Sequence, residues 1–219
     1  FVVVLKIPNV FRKLFAEGAF SQAFIPIYSE YLGKQDERGG QDFLNALFGL
    51  LLSVLFIFTL LALLFAPIFI LIFAPGFYFD IQKQDLAVNL LRIMFPYLAL
   101  ISLVAFAAGI QNSHNKFSIP AVTPLIFNLS LIGSAWLVAP KIEIPVMALA
   151  WGVLLAGFLQ LLFQIAPLTI IQKIPVPKID LSNPGVKKFF ILILPAIVAG
   201  GIAQINLLID TIFASLLIT

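Results

Sequence analysis

Arg12, Lys13 and Glu17 fall inside a stretch, Phe1 to Tyr31, that is otherwise apolar enough to sit in a membrane. A charge at bilayer depth costs from a few to about 10 kcal/mol, so residues of this kind face a protein interior or a wet cavity and are the first place to look for function. On a helix Lys13 and Glu17 are four apart and can pair on one face. Arg12 points about 100° away around the axis and has no acidic residue three or four positions along. Its expected counter-charge is an anion from outside the chain. A guanidinium fork grips phosphate oxygens better than an ammonium does, which tilts this reading toward a phosphate-bearing ligand held by Arg12, with Lys13 beside it. The alternative is that Arg12 reaches to an interface or pairs with an acid on another helix. Ser21 and Gln22 follow on the same segment and offer neutral hydrogen bonds to a ligand or to a packed helix.

Asp210 is the second unusual charge, near the middle of the last apolar run, with Asn206 one turn before it. A carboxylate at that depth suits proton or monovalent-cation coupling, or a partnership with a buried base such as Arg12; a protonated acid bonding across helices is the plainer role. His114 lies in the polar run Gln111 to Lys116 and reads as a solvated loop residue rather than a pH switch. The chain has no cysteine and one histidine, which gives metal and redox chemistry little to work with. No phosphate-cradling glycine loop, Ser-His-Asp set or pair of carboxylates placed for hydrolysis is present, so an enzyme is the weaker class. A net charge of +3, spread along the chain, does not suggest nucleic acid as a partner. No cofactor is expected; energy coupling would come from a monovalent cation or the membrane potential.

These residues must be positioned by membrane helices. The chain is 62% hydrophobic and 11% charged, with a mean hydropathy of +1.11, against roughly 25% charged residues in ordinary soluble domains. Six stretches reach the ~20 residues that a spanning helix needs: 1–31, 43–74, 86–111, 121–138, 145–171 and 189–218. The fold expected is therefore all-α, a polytopic transmembrane bundle. Pro8 and Pro26 each remove a backbone hydrogen bond and Gly18 lies between them, so the first stretch is expected to bend or break. Cytoplasmic loops are enriched in Lys and Arg. One alternate set of loops holds Lys34, Arg38, Lys116, Lys173, Lys178, Lys187 and Lys188, and the other only Lys83 and Lys141, with Arg92 at a helix start. The first set is thus cytoplasmic, and Phe1 enters from the outside. The chain reads as an excerpt of a longer protein that lacks at least one upstream helix.

The run from Lys6 to Pro26, Lys-Ile-Pro-Asn-Val-Phe-Arg-Lys-Leu-Phe-Ala-Glu-Gly-Ala-Phe-Ser-Gln-Ala-Phe-Ile-Pro, resembles the signature of the MurJ (MviN) lipid II flippases, R/K-[IL]-P-N-x-x-R-R-x-F-A-E-G-A-F-S-Q-A-F-x-P. The resemblance continues through Ala74-Pro-Gly-Phe77, Phe95-Pro-Tyr97, the segment Asn112 to Ala121, Ala148-Leu-Ala-Trp151 and Asp210 to Ser215. It implies a fold related to the multidrug and oligosaccharidyl-lipid exporters, with two six-helix lobes, of which this chain would be most of the N-terminal one. It implies transport of lipid II, the undecaprenyl-diphosphate-linked peptidoglycan precursor, from the inner to the outer leaflet of a bacterial cytoplasmic membrane. In the family the arginine at the position of Arg12 is one of several cavity arginines thought to engage the diphosphate. Lys13 stands where the family often has a second arginine, and Glu17 matches the family glutamate that orders the basic residues. The partners so implied are lipid II, membrane lipids, the remaining helices of the same protein and cell-wall synthesis proteins.

Two other readings stay open on the residues alone. A related exporter of another lipid-linked oligosaccharide would share the basic cavity, whereas a cation-coupled drug antiporter would place acids there. A non-transporting scaffold for cell-wall enzymes would tolerate an uncharged residue at position 12.

Overall fold

A computed structural model describes residues 1–13 and 19–217. All regular structure among them is helical: α1 (Val2–Arg12), α2 (Ala19–Gly33), α3 (Glu37–Leu64), α4 (Ala66–Phe73), α5 (Ile81–Met94), α6 (Pro96–Ser113), α7 (Ser118–Gly133), α8 (Pro145–Ile170) and α9 (Pro184–Leu217). A short 3-10 turn over Pro75–Phe79 joins α4 to α5, and α7 runs on through a π-helical turn, Ser134–Val138.

Proline and aspartate set the ends. Pro96, Pro145 and Pro184 open α6, α8 and α9, where the missing N–H is not needed. Asp36 caps α3 by accepting from Gly39 N, and Asp80 caps α5 by accepting from Lys83 N, each satisfying an amide that the helix itself cannot reach. These caps carry helix into polar sequence, so α3 starts at Glu37 and α5 at Ile81, ahead of the apolar runs at 43 and 86. Pro8 and Pro26 lie inside α1 and α2 rather than at their ends; Gly18, which lies between them in the stretch expected to bend or break, falls outside the described residues.

Among the described residues five helical passages are long and apolar enough to cross a membrane: Glu37–Leu64, Ile81–Ser113, Ser118–Lys141, Pro145–Ile170 and Pro184–Gly201. They correspond to the second through sixth expected spans. The first, 1–31, contains α1 and α2, 11 and 15 residues long, with residues 14–18 between them outside the described residues.

The outer faces of α3, α7, α8 and α9 leave Phe56, Leu129, Leu162 and Ile191 exposed, as expected where hydrocarbon is the solvent. Inside, one cluster gathers Val4 and Ile7 of α1 with Leu91, Met94 and Phe95. A second joins Phe24 and Tyr28 of α2 to Phe43, Leu47, Phe106 and Ile110. Phe24 is its hub, with Tyr28 stacked at 5.5 Å, Phe43 stacked at 5.9 Å and Phe106 edge-on at 5.4 Å between ring centroids. Gly109 permits that arrangement, because a Cβ there would come within 2.9 Å of the Phe24 ring. Phenylalanines thus tie α2, α3 and α6 together as well as facing lipid.

His114 departs from the solvated loop residue expected of it. It is half-buried, and its Nε2 lies 3.0 Å from the Tyr28 hydroxyl. Burial, with a smaller contribution from Lys173, lowers its pKa below the ordinary imidazole value. The α8–α9 connection lies as a strap along α3: Val176 N donates to Asn45 Oδ1 at 2.8 Å, Lys178 N to Asn45 O at 3.1 Å, and Gln41 Nε2 to Ile174 O at 3.2 Å. Glu30 of α2 pairs with Lys34 at 2.7 Å and with Lys188 of α9 at 2.5 Å, linking those two helices.

Candidate functional site

A cavity of about 410 Å³ opens between α1, α2, α6, α7 and α8. Helical periodicity builds its walls. On α6 the residues at 97, 101, 104, 105, 108, 109 and 112 form one stripe; on α7 those at 120, 123, 124, 127 and 128 form another, each at spacings of three and four that keep side chains on one face. Ala105, Ala108 and Gly109 keep the α6 wall thin. From α1 come Asn9 and Arg12, three apart, and from α8 come Gln160 and Gln164, four apart.

Among the described residues that line the cavity, Arg12 alone is charged. Its Nε donates to Asn9 Oδ1 at 3.2 Å, a neutral partner on α1 itself. The Asn9 amide oxygen orients the guanidinium and adds no charge to the lining. In surroundings of low dielectric the guanidinium charge attracts an anion more strongly than it would in water.

The other candidates separate. Ser21 is half-buried and lines the cavity with Arg12. Lys13 and Gln22 are exposed and do not line it, and Asp210 lies on an exposed face of α9 away from it. Helix geometry accounts for the split at Arg12 and Lys13, because adjacent residues point about 100° apart. Glu17, and with it the expected Lys13–Glu17 pair, lies outside the described residues, as does the side chain of Asn206. Among the described residues no three His, Asp or Glu side chains gather where they would hold a metal ion.

A neutral hydrogen-bonded wall, not among the candidates expected from sequence, faces Arg12's cavity. Gln111 of α6 donates to Gln164 Oε1 of α8, Gln164 Nε2 donates to Thr123 Oγ1 of α7 at 2.6 Å, and Thr123 Oγ1 donates to Ile119 O at 3.0 Å. Gln160 Nε2 donates to Thr123 O at 3.0 Å. The chain of donors runs in one direction, each bond polarising the next, and it stitches three helices together. Its signal was present in the sequence as two amides four apart in the otherwise apolar stretch 145–171.

The family model described as "Lipid II flippase MurJ" matches residues 1–219. A lipid II flippase MurJ of Burkholderia cenocepacia is 38% identical over 219 residues, covering 98% of this chain and 42% of the relative. A probable lipid II flippase MurJ of Haemophilus influenzae is 37% identical over 226 residues, covering 100% and 44%. A solved structure titled as lipid II flippase MurJ in an inward closed conformation superposes with a TM-score of 0.78 at 29% identity, over 98% of this chain and 43% of that one. The chain spans less than half the length of the relatives it matches.

Proposed function

Because the chain belongs to the lipid II flippase MurJ family, we propose that it forms most of the N-terminal lobe of a two-lobed transporter that moves the undecaprenyl-diphosphate-linked peptidoglycan precursor from the inner to the outer leaflet of a bacterial cytoplasmic membrane. The observation that carries this is the cavity in which Arg12 is the one charged residue among the described lining. A diphosphate is anionic and presents paired oxygens at each phosphorus, so a guanidinium oriented by Asn9 meets it with paired N–H donors. The apolar outer faces of α3, α7, α8 and α9 leave the polyprenyl tail in lipid while the headgroup occupies the wet interior. The second lobe closes the cavity, and rocking of the two lobes exposes it to each side in turn.

The membrane potential supplies a driving force of the right sign. The cytoplasm is negative, so moving one negative charge outward gains about 2.3 kcal/mol per 100 mV. Acidic side chains of the kind a drug antiporter needs for cations do not line this cavity among the described residues. The experiment is binding of lipid II to the full-length protein in detergent, wild type beside Arg12→Ala. Loss of one charge-assisted hydrogen-bonded contact, about 1.5–3 kcal/mol, weakens binding roughly 10- to 150-fold; equal affinity of the two proteins refutes the role of Arg12.

A further inference from the structure

Gln160 carries a feature that anion binding does not use. It is 2% exposed, lines the cavity, and its Oε1 accepts no hydrogen bond among the described residues. The orientation of the amide is fixed by chemistry: Thr123 O is a carbonyl and only accepts, so the Gln160 NH2 faces it and the acceptor end is the one left over. A buried acceptor without a donor is disfavoured enough that native structures nearly always supply one. The site therefore accommodates an O–H or N–H donor, which a fully deprotonated diphosphate does not offer.

We propose that Gln160 reads the uncharged part of the headgroup, its Oε1 accepting from a sugar hydroxyl or amide N–H while Arg12 holds the diphosphate. This rests on the reading of the cavity given above. A peptidoglycan precursor is rich in both donor types, whereas the polyprenyl diphosphate without its sugars has neither. A small turn of the Gln160 side chain about its Thr123 contact brings the acceptor to the cavity, since the residue already forms part of its wall. The role is one of specificity: Arg12 grips the diphosphate that every polyprenyl-diphosphate carrier shares, and Gln160 distinguishes a loaded carrier from a bare one.

The test compares two probes, lipid II and undecaprenyl diphosphate, binding to the full-length protein with Gln160→Leu, Arg12→Ala, Thr123→Val or no change. Gln160→Leu should weaken lipid II binding about 3- to 10-fold, the worth of one neutral hydrogen bond, and leave undecaprenyl diphosphate binding unchanged. Arg12→Ala should weaken both. Thr123→Val disturbs the same packing without removing the Gln160 acceptor, and should leave the ratio of the two affinities as in wild type. If Gln160→Leu does not accumulate in membranes, Gln160→Met, which keeps the length and loses only the amide, is read the same way. Equal weakening of both probes, or of neither, overturns the specificity role and leaves Gln160 a packing residue. Failure of the wild-type protein to bind either probe overturns the flippase reading instead.

Discussion

The relay from Gln111 through Gln164 to Thr123 offers a stability test whose size can be worked out in advance. Gln164→Leu removes two interhelical bonds, Gln111 to Gln164 and Gln164 to Thr123. Bonds between membrane helices average about 0.6 kcal/mol, so together they account for only about 1.2 kcal/mol. The polar group left behind costs more. Gln111 is 0% exposed, and without Gln164 Oε1 its amide keeps only a long contact of 3.5 Å to the Gln164 carbonyl; stranding it costs about 1–3 kcal/mol. The single substitution should therefore destabilise by about 2–4 kcal/mol. Replacing Gln111 as well removes the stranded amide, so Gln111→Leu/Gln164→Leu should be milder than the sum of the singles, with a coupling of about 1–3 kcal/mol. Unfolding of purified protein in mixed detergent micelles measures all four corners of the cycle. Additive single effects, within about 0.5 kcal/mol, would show that the buried amides do not act as a unit and would refute the reasoning.

Gly49 should not tolerate even alanine, because an added Cβ would stand 2.4 Å from the Lys178 carbonyl oxygen of the strap, and backbone cannot swing away as a side chain can. Gly49→Ala is expected to destabilise by about 1–3 kcal/mol and to speed proteolysis between residues 172 and 183; wild-type resistance there would count against the strap. His114 gives a pH dependence. Its pKa in the fold is lowered, so the unfolded chain binds more protons, and stability is lost as pH falls through the ordinary imidazole value of about 6.5 toward the folded one. The drop in melting temperature between pH 7.5 and 5.5 should be smaller for His114→Gln than for wild type, and an identical drop would contradict the assignment.

Much of this architecture was legible in the chain because hydrocarbon imposes a length rule. The apolar runs 145–171 and 189–218 reappear as α8, Pro145–Ile170, and α9, Pro184–Leu217. Helix ends were less legible: apolarity marks what lies in lipid, whereas Asp36 and Asp80 extend α3 and α5 into polar sequence through single capping bonds. Arg12 stood out because a charge among apolar residues is conspicuous, and the structure puts it with Ser21 on one cavity. Its neighbours Lys13 and Gln22 share the segment but not that face, a distinction that spacing hinted at and only packing resolves. The glutamines went unread because an amide in an apolar helix looks the same whether it packs, bonds or faces a cavity. His114 was misread for a related reason: its partner Tyr28 is 86 positions away.

The most direct measurement is rescue of bacteria depleted of their lipid II flippase by the full-length protein, wild type beside Arg12→Ala, with equal amounts of each in the membrane. Growth is expected with the wild type and none, or severely slowed growth, with Arg12→Ala. Full rescue by Arg12→Ala would contradict this, because a cavity that works without its cation does not hold the diphosphate through that residue.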